Sequence, residues 1–330
     1  MQASESQPVS SRDYRYPFGP YPTGWYLALE SRALPAGGVV PLALFGRELV
    51  AFRSERTRRA VILDAHCPHM GAHLGHGGAV DGEGIRCPFH RWRFDAQGRC
   101  DDVPYDPGRR PPDAGLRVWP VHETSGLVLI HYSESQAAPG WRMPDLPEWG
   151  APGWLGYESV SWKVRMHVQE LCENIPDTAH FACVHEVPGT PAAEVETQGH
   201  VYRQRSYFAE TGETFTVQEA HGLGLVWLRS ADRLVFLTAT TPLDALHCRL
   251  ELLFLAREEP GARELSAANR SMIQHIAETT ARDVPIWEHK VYRAKPPLVP
   301  GDGPIAQLRR WARQFHEPSG VGPSARSAPD

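Results

Sequence analysis

The chain has 330 residues, 34 Lys and Arg against 39 Asp and Glu, and a formal charge of −5. That balance excludes a protein that coats nucleic acid, which would carry a strongly basic face. With 42% hydrophobic residues, 22% charged, 30 prolines and 29 glycines, the composition is that of a globular, turn-rich chain of about two domains.

In chain order, residues 1–18 are polar and read as a flexible tail. Residues 1–11 lack the apolar core of a secretory leader, so a cytoplasmic protein is expected. From 24 to 132 short β-type runs (WYLALE, VVPLALF, ELVAFR, AVILDA) alternate with Gly and Pro, which predicts a small all-β sandwich, bounded at 19–140. The stretch 133–156, rich in Pro, Gly and Trp, reads as a linker. A helical segment over about 166–184 follows. Alternating runs over 201–210, 213–220, 224–230, 233–240 and 248–256 then predict an antiparallel sheet with one face on a core. Helical spacing resumes over 266–287 and 305–315. The second domain, 141–316, is therefore α+β, a sheet packed on helices, and 317–330 is a second tail. The longest apolar runs are strand-sized, so no membrane span is expected.

Two constellations carry chemistry. Cys67-Pro-His69 and Cys87-Pro-Phe-His90 form the pattern C-x-H-x17-C-x2-H within the β domain. Thiolates suit a ferric centre, and two neutral imidazoles on a second iron lower the cluster's negative charge; this is the ligand set of a Rieske 2Fe-2S cluster. On that reading Cys67 and Cys87 hold one iron, and His69 and His90 the other. The alternative is a Cys2His2 zinc site, whose modules more often pair Cys with Cys and His with His. His66, His73 and His76 read as surface or supporting residues, and Cys100, Cys172, Cys183 and Cys248 as packing residues.

The second constellation is ENIPDTAHFACVH, residues 173–185. Asn174, Asp177 and His180 are three apart, so on one helix they would share a face, with the acid orienting His180. His185 follows at five, which implies that the helix ends or bulges between the histidines. Two histidines and a distant carboxylate make the facial triad of a non-haem Fe(II) oxygenase, with positions open for O2 and substrate. Asp283 is the best candidate, because Met272, Ile276, Thr279, Asp283 and Ile286 form one stripe at helical spacing and ligation would remove the cost of burying the carboxylate. Pro285 interrupts that register. Glu278 and Glu288 are the fallback ligands, and a surface ion pair with Arg282 or Arg293 is the competing role for Asp283.

These residues resemble the Rieske non-haem iron oxygenases from about 24 to 315, most closely the branch of 3-ketosteroid 9α-hydroxylase oxygenase components and cholesterol 7-desaturases. The similar stretches are CPHMGAHLGHGG, CPFHRWRF with GRCDDVPY, ENIPDTAHFACVH, and ARDVPIWEHK followed by DGPIAQLRRW. Only Ile175 and Pro176 separate Asn174 from Asp177, whereas larger ring-hydroxylating dioxygenases have three residues there; Pro285 departs from the ketosteroid pattern. The resemblance implies a helix-grip catalytic domain and His180, His185 and Asp283 as ligands of a mononuclear iron, the Asp matching the D-x-x-x-W position with Trp287. It implies Asp177 as a bridge from His180 to His90 of a neighbouring subunit in a homotrimer, with Asn174 in support. It also implies a terminal monooxygenase that uses O2 to hydroxylate or desaturate a hydrophobic, steroid-like or polycyclic substrate. No G-x-G-x-x-G nucleotide signature follows a strand, so a ferredoxin and/or flavin-dependent reductase must supply electrons. Two other readings are a biosynthetic Rieske enzyme that demethylates or cyclises a natural product, and a non-catalytic electron carrier or zinc-stabilised lipid-binding protein.

Overall fold

The computed structural model describes residues 14–316, apart from 112 and 231–233. Its first half contains β1 (Gly24–Glu30), β2 (Val39–Leu44), β3 (Arg47–Arg53), β4 (Ala60–Asp64), β5 (Ala79–Asp81), β6 (Gly84–Arg86), β7 (Arg93–Phe94), β8 (Cys100–Asp102), β9 (Val118–Trp119), β10 (Val121–Thr124) and β11 (Leu127–Tyr132). These form three antiparallel sheets, ordered β1-β11-β10, β2-β3-β4-β9 and β5-β6-β7-β8. The expected all-β domain is present, built from short strands.

The second half contains β12 (Glu158–Val164), α1 (Val168–Glu173), α2 (Ala179–Cys183), β13 (Ala192–Gln198), β14 (Val201–Tyr207), β15 (Thr214–His221), β16 (Leu225–Ser230), β17 (Leu234–Pro242), β18 (Cys248–Ala256), α3 (Ala267–His289) and α4 (Ile305–Ala312). The strands make one seven-stranded antiparallel sheet, β12-β18-β17-β16-β15-β14-β13. The sheet was expected to bury one face; its central strands bury both. Val226, Phe236, Leu252 and Phe254 face the helices, while their neighbours Leu225, Trp227, Val235, Leu237, Leu253 and Leu255 pack against Trp25, Leu27, Leu127 and Leu129 of the first domain. Consecutive apolar residues such as Leu252–Leu255 are what double-sided burial requires of a two-residue repeat. Gly224 permits the contact, since a Cβ there would lie 2.6 Å from the Tyr26 ring.

The stretch expected to link the domains is pinned between them. Met143 and Leu146 are buried in the shared core, and the Met143 carbonyl accepts from His122. The tail expected over 1–18 is also shorter than that, for Tyr16 and Phe18 pack on His167 and Tyr292, and Arg15 binds the end of α3. Residues 1–13 and 317–330 lie outside the described residues.

Helix α3 begins at the N-cap Ser266, whose hydroxyl accepts from the Asn269 amide, and runs through Pro285 to His289. Proline removes one hydrogen bond four residues back, yet the helix continues because its flanking residues Asp283 and Trp287 are held in the interior. Its buried stripe is Asn269, Ile273, Asp283 and Trp287, offset from the expected one: Met272 and Ile286 are 50% and 46% exposed. The helix expected over 166–184 is broken into α1 and α2. Asn174 caps the first, and Pro176 lies in the break, where it can neither donate a backbone hydrogen bond nor accept a helical predecessor.

Candidate metal centres and substrate cavity

The first constellation occupies two loops of one design. In the first, the Cys67 amide donates to the Ala72 carbonyl; in the second, the Cys87 amide donates to the Trp92 carbonyl. The fourth residue after each cysteine turns the chain through the left-handed region, Gly71 at φ 73° and Arg91 at φ 63°. Both thiols are buried and interact with each other, and burial pushes the Cys67 thiol up to about 11. Metal ions that neutralise the thiolates would remove that cost, so the donor set fits a thiolate-bound metal centre. The histidines sit nearer the surface, with His69 and His90 in ring contact at 4.6 Å and His69 stacked on Trp92 at 4.3 Å. Trp92 is fixed in turn by donating to Tyr105 Oη at 2.7 Å. Met70, Phe89 and Tyr105, exposed by 66%, 59% and 60%, surround the histidines. His66 bonds Glu48 at the surface and donates nothing to this pair.

The second centre joins residues far apart in sequence. Donor atoms of His180 on α2, His185 just beyond it and Asp283 on α3 all lie within 4.8 Å of one another. His185 Nε2 is 3.2 Å from Asp283 Oδ2, and both side chains are more than nine-tenths buried. The fallback acids are elsewhere: Glu278 is exposed and accepts from Gln274, Glu288 accepts from the Arg165 amide, and Arg282 pairs with Glu186 rather than Asp283. Asn174, Asp177 and His180 do meet, but through the break between helices instead of along a shared helical face. The His180 amide donates to Asp177 Oδ1 at 3.2 Å, its Nδ1–H donates to the Asp177 carbonyl, and Asn174 Nδ2 donates to its Nε2 at 3.1 Å. Gly303 lets the approach to α4 close over this break, because a Cβ at its φ of 75° would lie 1.9 Å from the Pro176 carbonyl. Burial holds His180 below the usual histidine range, and the neutral imidazole is the form that ligates a metal. The donors therefore fit a single divalent cation with a two-histidine, one-carboxylate set.

This trio opens on a cavity of 330 Å³ between the sheet and α3, whose walls include Phe181, Phe215, Phe236, Leu252 and Trp287. Asn174, Thr216 and Gln218 are polar exceptions in that lining. Sequence reasoning assigned Thr216 and Gln218 no role: polar residues at alternate strand positions look like a solvent face, and here that face is covered by α3.

Comparison with known proteins settles the lineage. A Rieske [2Fe-2S] domain matches residues 24–120, and the 3-ketosteroid 9alpha-hydroxylase C-terminal domain matches residues 130–316. The chain belongs to the Rieske non-haem iron oxygenases. Relatives of this oxygenase include the oxygenase component of a 3-ketosteroid-9-alpha-monooxygenase from Rhodococcus rhodochrous, 30% identical over 89% of this chain and 83% of that protein. Cholesterol 7-desaturase from Caenorhabditis elegans is also 30% identical, over 90% of this chain and 77% of that protein. Among solved structures, NdmB of Pseudomonas putida CBB5 superposes with a TM-score of 0.69 at 17% identity, over 88% of this chain and 89% of that one. Dicamba monooxygenase bound to dicamba gives 0.67 at 17%, over 88% and 96%; both show the shared fold. A Rieske oxygenase of this kind uses a 2Fe-2S cluster, a mononuclear iron and O2, and as an oxygenase component it takes its electrons from another protein. No described helix is long and apolar enough to cross a membrane.

Proposed function

We propose that this chain is the terminal oxygenase of a monooxygenase system acting on a steroid-like polycyclic substrate, fed by a cytoplasmic ferredoxin and/or flavin-dependent reductase. The observation that carries the reading is the buried His180, His185 and Asp283 trio at one wall of a mostly apolar cavity. Cys67, His69, Cys87 and His90 would hold the cluster and the trio the single iron, and these groups supply one-electron transfer and dioxygen activation. The remaining work falls to the chain's own side chains. The Asp177 carbonyl fixes the His180 ring through its Nδ1–H, which leaves Nε2, beside Asn174 Nδ2, as the atom that would bind the iron; the aromatic walls exclude water, and the cavity orients the substrate.

Asp177 also faces outward, its side chain 37% exposed against 9% for His180. It lines a second, polar cavity of 200 Å³ with Tyr292 and Arg309. The exposed Met70, Phe89 and Tyr105 around His69 and His90 form an apolar rim of the sort that docks on another surface. Both features support a homotrimer in which His90 of one subunit meets Asp177 of the next. The test is reconstitution with a surrogate reductase and androst-4-ene-3,17-dione or cholesterol. Wild type should couple O2 uptake to an oxidised steroid, and Asp177→Ala should keep both metal centres while turnover falls by about two orders of magnitude. Absence of steroid product from fully metallated enzyme would refute the substrate class, and wild-type turnover in the variant would refute the bridge.

A further inference from the structure

The cavity wall contains a pair of polar side chains that the fold leaves open. Thr216 and Gln218 are two apart on β15, so they project to the same side of the sheet, and both line the cavity. They are 7% and 8% exposed, and neither Thr216 Oγ1 nor Gln218 Oε1 has a hydrogen-bond partner. Their direct cross-strand neighbours on β14 show what satisfaction looks like in this sheet. Gln204, opposite Gln218, donates from Nε2 to the Ile175 carbonyl at 2.6 Å and to Ser206 Oγ at 3.1 Å, and accepts from Tyr202 Oη. Ser206 lies opposite Thr216. Four polar residues thus form a square on one face of the sheet, and the two on the cavity side lack the partners that the two behind them have. Buried polar groups are kept unpaired only at a cost, and a ligand that pairs them gains accordingly.

We infer that Thr216 and Gln218 anchor an oxygen substituent of the substrate, so that a hydrophobic polycycle bearing a hydroxyl or carbonyl is held in one orientation toward the His180, His185 and Asp283 site. The inference rests on the oxygenase reading and adds which part of the substrate is recognised. An amide offers both donor and acceptor, and a threonine hydroxyl can serve as either, so the pair accommodates a ketone or an alcohol. Phe215, Val226, Leu228, Phe236 and Leu252 offer the rest of the molecule apolar contact, and Thr238, Thr279 and Thr280 are among the other polar residues of the lining. A site built around hydrogen bonds rejects the analogue that lacks the oxygen, because its own groups are then stranded.

The experiment is equilibrium dialysis of iron-loaded enzyme with three matched probes: 5α-androstan-3-one, 5α-androstan-3β-ol and the hydrocarbon 5α-androstane. Wild type should bind one oxygenated probe at least about tenfold more tightly than androstane, the favoured one identifying ketone or alcohol as the recognised group. The near-isosteric Gln218→Met and Thr216→Val should lower that affinity to the level of androstane and leave androstane binding unchanged, which shows an intact cavity; Thr216→Ser should retain the preference. Persistence of the tenfold preference in both isosteric variants would overturn the anchor while the steroid reading stands. Equal binding of all three probes by wild type would also overturn it alone, whereas binding of none would overturn the anchor and the steroid reading together.

Discussion

At the residue scale, the chain settles protonation by burial. His167 caps α1 by accepting the Gln169 amide at Nδ1 and donates from Nε2 to the Gly19 carbonyl, so it must be neutral, and burial lowers it from 6.5 to about 3. His316, bonded to Gln169 Oε1, is lowered by the same cause to about 4. Between pH 6.5 and these values the unfolded chain binds protons that the folded one refuses, so stability is full above pH 6.5 and falls as the solution is acidified. Each histidine contributes about 1.4 kcal/mol per pH unit, so denaturant titrations should show a loss approaching about 3 kcal/mol per pH unit below pH 6.5. His167→Asn, which keeps a capping acceptor, should flatten that slope; identical slopes in the two proteins would contradict the assignment. The clustering of His69 with His90, and of His180 and His185 with Asp283, was legible because candidate metal donors recur as fixed types at short spacings and Asp283 lies on the cavity side of its helix. Thr216 and Gln218 were not legible, since a polar residue on a strand is the same letter whether it meets water or a substrate.

At the element scale, the long helix that carries Asp283 depends on a residue from the other end of the chain. The Arg15 guanidinium donates to the carbonyls of Glu288 at 2.8 Å and Lys290 at 2.7 Å, satisfying groups that the end of α3 leaves without partners, and to the Arg165 carbonyl just after β12 at 3.1 Å. Arg15→Ala should destabilise the protein by about 2 kcal/mol and speed amide exchange over 286–290. Unchanged exchange there would show that α3 ends independently of this contact. The helices over 266–287 and 305–315 were legible from periodicity, whereas the break at Pro176 within the 166–184 segment was not. The three-residue spacing suggested a shared face, but proline forced a turn that brought the same residues together by another route.

At the scale of the whole molecule, the two domains share one core, formed by β1 and β11, the connector around Met143 and Leu146, and the outer face of the large sheet. The apolar runs Leu234–Leu237 and Leu252–Leu255 contained this information, because a sheet with one wet face would alternate; what they could not specify was which surface covers the second face. The shared core fixes the catalytic sheet against the Rieske domain, while the chain keeps two chemically separate metal centres. The separation is the central claim, and metal analysis with EPR on anaerobically purified protein tests it most directly. Wild type should contain about three irons and two acid-labile sulfides per chain, with a reduced signal of average g below 2. Asp283→Ala should lose about one iron and keep both sulfides and that signal. Zinc without sulfide in iron-replete protein, or an Asp283→Ala variant that retains all three irons, would contradict the account.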